Sequence, residues 1–184
     1  MKSIVIAVTA ALLLSGCATQ MAPVEGPIAA PVPAKYGWGY SEKAKAEMAA
    51  TFGTAALKPA DSRWVADIPA EGTTKMVVSL SDQMGYVYRA GQLVGVTTLS
   101  SGKTDHETPT GVFPILGKEK VHHSKTYDNA SMPYMQRLNS YGVALHGGDN
   151  PGYAASHGCI RLPMAFAKKL YGNVARGDMV FVEG

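Results

Sequence analysis

Apolar residues follow three different patterns along this chain. Residues 4–14 form a nearly unbroken apolar run, from Ile4-Val5-Ile6-Ala7-Val8 to Leu12-Leu13-Leu14, behind the single cation Lys2. Residues 18–35 are rich in Ala and Pro, with Pro23, Pro27, Pro31 and Pro33 spaced so that neither helix nor sheet persists. From about Thr73 onward, short β-rich stretches are broken by turn residues. These stretches predict strands over residues 75–80, 85–89, 92–99, 111–116, 118–122, 142–146 and 178–182, with Ser81-Asp82-Gln83 and Ala90-Gly91 as turns. One helix interrupts the series. Pro163 suits its first helical position, Phe166, Leu170 and Tyr171 supply an apolar face, and Gly172 can end it. A shorter helix is expected over residues 41–50, where Ala, Glu, Lys and Met favour helix and Ser41 can cap it. It is expected to pack loosely on the main domain or to belong to the tether. Strands at this spacing are those of a small sandwich or barrel. The expected fold is therefore mainly β, a small mixed β-sandwich or barrel-like domain with one helix late in the chain.

Composition narrows the function. With 184 residues and 46% hydrophobic content, the chain suits one modest domain plus appendages. The formal charge of +3 is small and scattered, no Lys/Arg run alternates with aromatics, and no phosphate-cradling Gly motif occurs. Nucleic acid is not an expected partner. The N-terminal apolar run is too short to span a bilayer comfortably and reads as a signal peptide. Leu14-Ser15-Gly16-Cys17 resembles the bacterial lipobox, in which a peptidase cuts before a diacylglycerol-modified cysteine. That resemblance implies a mature chain beginning at lipid-modified Cys17. Ala18 resembles the residues that permit sorting to the outer membrane. An ordinary secretory signal or an uncleaved anchor is the alternative. The expected organisation is a signal peptide over 1–16, lipidated Cys17 and a tether over 17–40, a lead-in over 41–72 and a main domain over 73–184. At about 3 Å per residue, a tether of roughly 20 residues holds that domain up to ~60 Å from a membrane face.

The cysteine count sharpens the chemistry. Only Cys17 and Cys159 occur. If Cys17 is acylated, Cys159 is a lone thiol in an exported and usually oxidising compartment, and such a thiol needs a reason. Free cysteines are commonly small buried hydrophobes, but Ser156-His157-Gly158 before Cys159 is poor material for a core. A thiol near its reference pKa of about 8.5 is mostly protonated at neutral pH, so it needs a neighbouring base or an imidazolium that favours thiolate. His146 and His157 are the candidates. In an extended backbone His157 leaves on the same side as Cys159. His146, followed by flexible Gly147-Gly148, can approach from an adjacent strand. The Gly158 and Cys159 N–H groups are the candidate oxyanion donors, since glycine lets the chain approach closely. Arg161 is a candidate for bidentate binding of a carboxylate, with a structural ion pair or loop brace as the alternative. Ser156 can orient a histidine or satisfy the loop, and Tyr153 and Tyr134 are candidates to border the cleft.

His146-Gly147 followed by Ser156-His157-Gly158-Cys159-Ile160-Arg161-Leu162 resembles the signature of the L,D-transpeptidase catalytic domain, the YkuD-type family. Thr108-Pro109-Thr110-Gly111-Val112-Phe113-Pro114-Ile115 and Gly177-Asp178-Met179-Val180 support it, and the resemblance covers roughly residues 73–184. One departure is the loop from His146 to Ser156, which is shorter than in many members. The resemblance implies that Cys159 attacks an L,D peptide bond in a tetrapeptide stem of peptidoglycan. His146 then serves as general base, its second ring nitrogen held by the backbone carbonyl of Gly147. It also implies a thioester, transfer to an amine of another stem or a wall-linked protein, no cofactor, and a monomer on the periplasmic side of a bacterial envelope. Three alternatives stay open. The same thiol can serve a carboxypeptidase or cross-link hydrolase; a zinc site can use His146, His157 and Cys159, although a fourth ligand is not evident; or the chain can be a non-catalytic wall-binding lipoprotein. Adjacent His122 and His123 face opposite ways in a strand and make a poor metal clamp, and His106 is expected in a solvated loop.

Overall fold

The computed structural model describes residues 39–184. The apolar run, Cys17 and the tether as far as residue 38 lie outside the described residues. The elements follow in the order α1 (Tyr40–Phe52), β1 (Ser62–Trp64), β2 (Thr74–Ser79), β3 (Met84–Arg89), β4 (Gln92–Thr98), β5 (Gly111–Pro114), β6 (Gly117–Glu119), β7 (Met135–Arg137), β8 (Ala144–Gly147), β9 (Ile160–Leu162), α2 (Met164–Asn173) and β10 (Met179–Glu183). One sheet has six strands in the order β1-β4-β3-β2-β10-β5, and the other has four in the order β6-β7-β8-β9. Both are mixed, with β10 parallel to β2 and β9 parallel to β8. The domain is mainly β as expected, but its two sheets are open and close into no barrel among the described residues.

Burial on both faces explains the nearly continuous apolar runs of the central strands. On β2, Met76 and Val78 face the core between the sheets while Val77 faces the other way. Val180 and Val182 of β10 repeat the pattern, with Phe181 on the outer side. The inner core joins these to Leu145 of β8, Ile160 and Leu162 of β9, and Phe166, Ala167 and Leu170 of α2. Strands β8 and β9 are thus anchored on one face, which leaves the other free for chemistry.

The first helix corrects the expectation of a loose appendage. Ala44 and Met48 of α1 are fully buried against Val77, Tyr86, Tyr88 and Val96, so α1 roofs the outer face of the six-stranded sheet. Burying one Met side chain in this way contributes about 1.5–3 kcal/mol. Ser41 does not cap the helix. Its backbone N–H and that of Tyr40 donate instead to the Glu183 carboxylate of β10, at 2.7 and 3.1 Å, and a negative group at a helix N-terminus is favourable. Strands β1, β7 and β9 were absent from the sequence pattern because three residues are too few for alternation to show. Strand β6 stops at Glu119, short of the expected residue 122, although pairing resumes where His123 meets Ser131. Pro163 sits at the N-cap of α2 and not inside it.

Candidate active site

The parallel pair β8–β9 brings the two halves of the motif together. Leu145 lies opposite Ile160 and His146 opposite Arg161. Side chains alternate along a strand, so Leu145, Ile160 and Leu162 point into the core, all 0% exposed. Ala144, His146 and Arg161 consequently share the opposite face. Cys159, one residue before β9, continues that face and packs on Ala144, Met132 and Met135. Two glycines make the arrangement possible. A Cβ on Gly147 would lie 2.8 Å from Met164 Sδ, where α2 crosses the strand. A Cβ on Gly148 would lie 3.1 Å from Arg161 Cδ and 3.4 Å from His146 Cε1, so its absence makes room for both side chains.

His146 is buried, and its Nδ1 lies 3.0 Å from the Gly147 carbonyl. A carbonyl partner requires the proton on Nδ1, which leaves Nε2 with a lone pair and no hydrogen-bond partner among the described residues. Burial holds the His146 pKa below the ordinary histidine value. The Gly147 hydrogen bond opposes this, and the charges of Arg161 and His122 add to it. Cys159 moves the other way. Burial pushes its thiol up, against an Ala144 hydrogen bond and the Arg161 charge that favour thiolate. The thiol donates to the Gly142 carbonyl at 3.6 Å. Both shifts favour the neutral form of the group concerned.

The loop carrying Cys159 is braced from within. Gly158 takes φ +111°, a conformation that favours glycine. Its N–H donates to Ser156 Oγ at 3.1 Å, and the Ser156 hydroxyl donates to the Cys159 carbonyl. Ser156 thus satisfies the loop, one of the two roles its position allowed. The Gly158 amide is engaged as well. Of the two expected oxyanion donors, only the Cys159 N–H makes no hydrogen bond among the described residues.

His157 is exposed and its ring is engaged by neighbouring loops. The left-handed Gly158 breaks the extended geometry that would have aligned the two side chains. The imidazole instead stacks on Tyr127 at 4.6 Å and meets His106 edge-on at 4.9 Å, joining three surface loops. Cys159, His146 and His157 accordingly form no common ligand set, and no cluster of three or more His, Cys, Asp or Glu side chains among the described residues could hold a metal ion. Tyr134 has a left-handed backbone, is partly buried against the core and meets Tyr171 edge-on at 5.9 Å. Tyr153 is 63% exposed, and its carbonyl accepts the Ser100 hydroxyl at 2.7 Å. Arg161 joins none of the salt bridges among the described residues, which removes the ion-pair alternative and leaves its charge to act on the site.

Several contributors escaped the sequence reading. Ser100 exchanges two backbone hydrogen bonds with Arg161, each 2.9 Å. The Ser101 carbonyl accepts the N–H groups of Ala155 and Ser156 at 3.0 and 2.9 Å. Buried Thr108 accepts from Gly102 N–H at 2.8 Å and donates to the Gly158 carbonyl at 2.9 Å. The available signal was a run of small polar residues, Ser100-Ser101-Gly102, directly after an apolar strand, since a buried loop needs partners for its backbone. His122 was likewise set aside. It pairs with Glu119 at 2.7 Å, and its charge reaches His146.

The model of the YkuD L,D-transpeptidase catalytic domain matches residues 73–182. The chain belongs to this family. Among solved structures it is similar to an L,D-transpeptidase from Mycobacterium tuberculosis H37Rv, with 26% identity and a TM-score of 0.58 over 61% of this chain and 58% of that one. It is similar also to an L,D-transpeptidase from Stackebrandtia nassauensis, with 32% identity and a TM-score of 0.57 over 62% and 57%. A third is L,D-transpeptidase 3 from Mycobacterium tuberculosis in complex with a faropenem-derived adduct, with 25% identity and a TM-score of 0.55 over 61% of this chain and 60% of that one. This chain therefore spans less than two thirds of each of these relatives. No curated protein matches the sequence.

Proposed function

We propose that this protein is a peptidoglycan L,D-transpeptidase acting through a Cys159 thioester. The observation that carries the reading is the shared face of β8–β9, on which a lone thiol and an imidazole pinned through Nδ1 to its own strand lie together. His146 Nε2 takes the thiol proton as sulfur attacks the carbonyl carbon of the L,D bond in a tetrapeptide stem. The same nitrogen returns that proton to the departing amine of the terminal D-residue. The Cys159 N–H donates to the oxyanion. An acceptor amine then loses a proton to His146, attacks the thioester, and restores the thiol. Arg161 is the group to hold a stem carboxylate, because its guanidinium is charged, planar and without an acidic partner. Tyr153 borders the substrate in this reading, supported by its exposure in the loop between His146 and Ser156.

The cellular setting belongs to the same proposal. Lipidation at Cys17 would anchor the domain on the periplasmic side of the envelope, at the outer membrane, with the tether giving it reach into the wall. Replacement of Cys17 by Ser should move the protein from the detergent phase to the aqueous phase on Triton X-114 partition. Incubation of the soluble domain with a disaccharide tetrapeptide tests the activity. Dimeric product with release of the D-residue supports transfer. A trimmed monomer alone assigns the carboxypeptidase reading, and unchanged substrate assigns a binding protein.

A further inference from the structure

We infer that Gln83, in the turn between β2 and β3, is a positioning residue for acyl transfer at Cys159. The inference rests on the thioester reading above. Gln83 is remote from the motif in sequence, yet its side chain grips the segment that holds the nucleophile's loop. Its Oε1 accepts the Ser101 N–H at 3.0 Å, and its Nε2 donates to Ser101 Oγ at 2.8 Å and to the Leu80 carbonyl at 2.7 Å. Its backbone carbonyl accepts the Leu99 N–H at 2.8 Å. Residues 99–101 are thereby fixed in direction as they leave β4.

From Ser101 the hydrogen bonds run on without a gap. The Ser101 carbonyl accepts the Ala155 and Ser156 N–H groups, and Ser156 Oγ accepts from Gly158 N–H while donating to the Cys159 carbonyl. A side chain on one sheet thus reaches, through Ser101 and Ser156, the two peptide groups that flank the Gly158–Cys159 peptide on the other. Gln83 also adopts φ +51°, a left-handed conformation uncommon for glutamine, which the surrounding structure holds in place. Packing does not account for the residue. It lines a cavity of 230 Å³, together with Leu57, Pro59, Asp82, Thr98 and Gly152, and sits outside the hydrophobic clusters.

The consequence is specific to acyl chemistry. Attack on a carbonyl needs both the sulfur and the Cys159 N–H in place for the oxyanion. Displacement of iodide from iodoacetamide by the same sulfur needs no oxyanion donor. Gln83→Met keeps length and removes every side-chain hydrogen bond, while Gln83→Glu keeps the acceptor for the Ser101 N–H. The experiment compares single-turnover thioester formation on a disaccharide tetrapeptide, read by intact mass, with the iodoacetamide rate and the melting temperature. Gln83→Met should slow thioester formation about tenfold to a hundredfold, the scale of a small misplacement, and leave alkylation at the wild-type rate. Gln83→Glu should fall between Gln83→Met and wild type, and carries the comparison if Gln83→Met does not fold. Equal slowing of both reactions, or slowing of neither, overturns the positioning role. Absence of thioester on the wild-type protein overturns the acyl-transfer reading itself, which separates the two failures.

Discussion

His146 and Arg161 lie directly opposite each other on adjacent parallel strands, so an imidazole and a guanidinium share one face of the four-stranded sheet. The positive charge of Arg161 disfavours protonation of His146 and favours ionisation of Cys159. The effect on Cys159 assists passage of a proton from sulfur to ring, whereas the effect on His146 weakens the ring as a base while keeping it in the unprotonated form that can accept. The same charge is unpaired by any carboxylate among the described residues, so it is available to substrate.

Replacing Arg161 by Met should therefore act in two ways. The kcat/KM on a stem with a free carboxylate should fall about tenfold to a hundredfold, as for loss of a charge-assisted hydrogen bond. The acid limb of the rate profile should move to higher pH, because His146 loses a cationic neighbour. A stem amidated at that carboxylate should lose little further activity on substitution, and steady-state kinetics on the two substrates checks this.

The pH dependence follows from the neutral pair. Burial lowers the His146 pKa, so the base-competent form persists into more acidic solution than for an ordinary histidine. The acid limb of kcat/KM should have its midpoint below the ordinary histidine value. Stability follows the same linkage. As pH falls from the unfolded histidine value toward the lower folded one, the unfolded chain binds more protons and the His146 contribution is lost. For Cys159 the folded pKa is raised, so stability is lost as pH rises above the ordinary thiol value. Denaturant melts across pH should show this pair contributing a plateau between the two ordinary values, and iodoacetamide alkylation should show no reactive thiolate in mildly acidic solution.

Gly148→Ala tests the packing around the ring. The added Cβ would meet Arg161 Cδ at 3.1 Å and His146 Cε1 at 3.4 Å, while the backbone there has no left-handed φ to strain. Turnover should fall about tenfold or more through displacement of the two side chains, with a change in melting temperature of only a few degrees. Wild-type turnover would show that ring and guanidinium do not depend on this space.

Much of the site is legible in the residues because its chemistry demands particular types close together. The one thiol of the described residues, His146 beside two glycines, and Arg161 two residues past Cys159 all fall on one face of β8–β9. The longer strands were legible too, because both faces of β2, β3 and β4 are buried and their apolar runs stand out. What escaped was set by tertiary contact. Gln83 and Ser101 carry no chemical signature in sequence and gain meaning only where the end of β4 passes beside the Cys159 loop. The cap on α1 comes from Glu183, 142 residues beyond Ser41. The single conformation of Gly158 turns His157 from a candidate base into a surface contact with Tyr127 and His106.

The most direct test is the intact mass of the domain during reaction with a disaccharide tetrapeptide, followed by mapping of the modified residue. The account predicts a transient adduct on Cys159 equal to the stem minus its terminal D-residue, absent in Cys159→Ala. It should be reduced by about a thousandfold or more in His146→Ala, the scale of losing a base that activates a nucleophile, with both variants folded. An adduct on another residue, or undiminished thioester formation in folded His146→Ala, would contradict it.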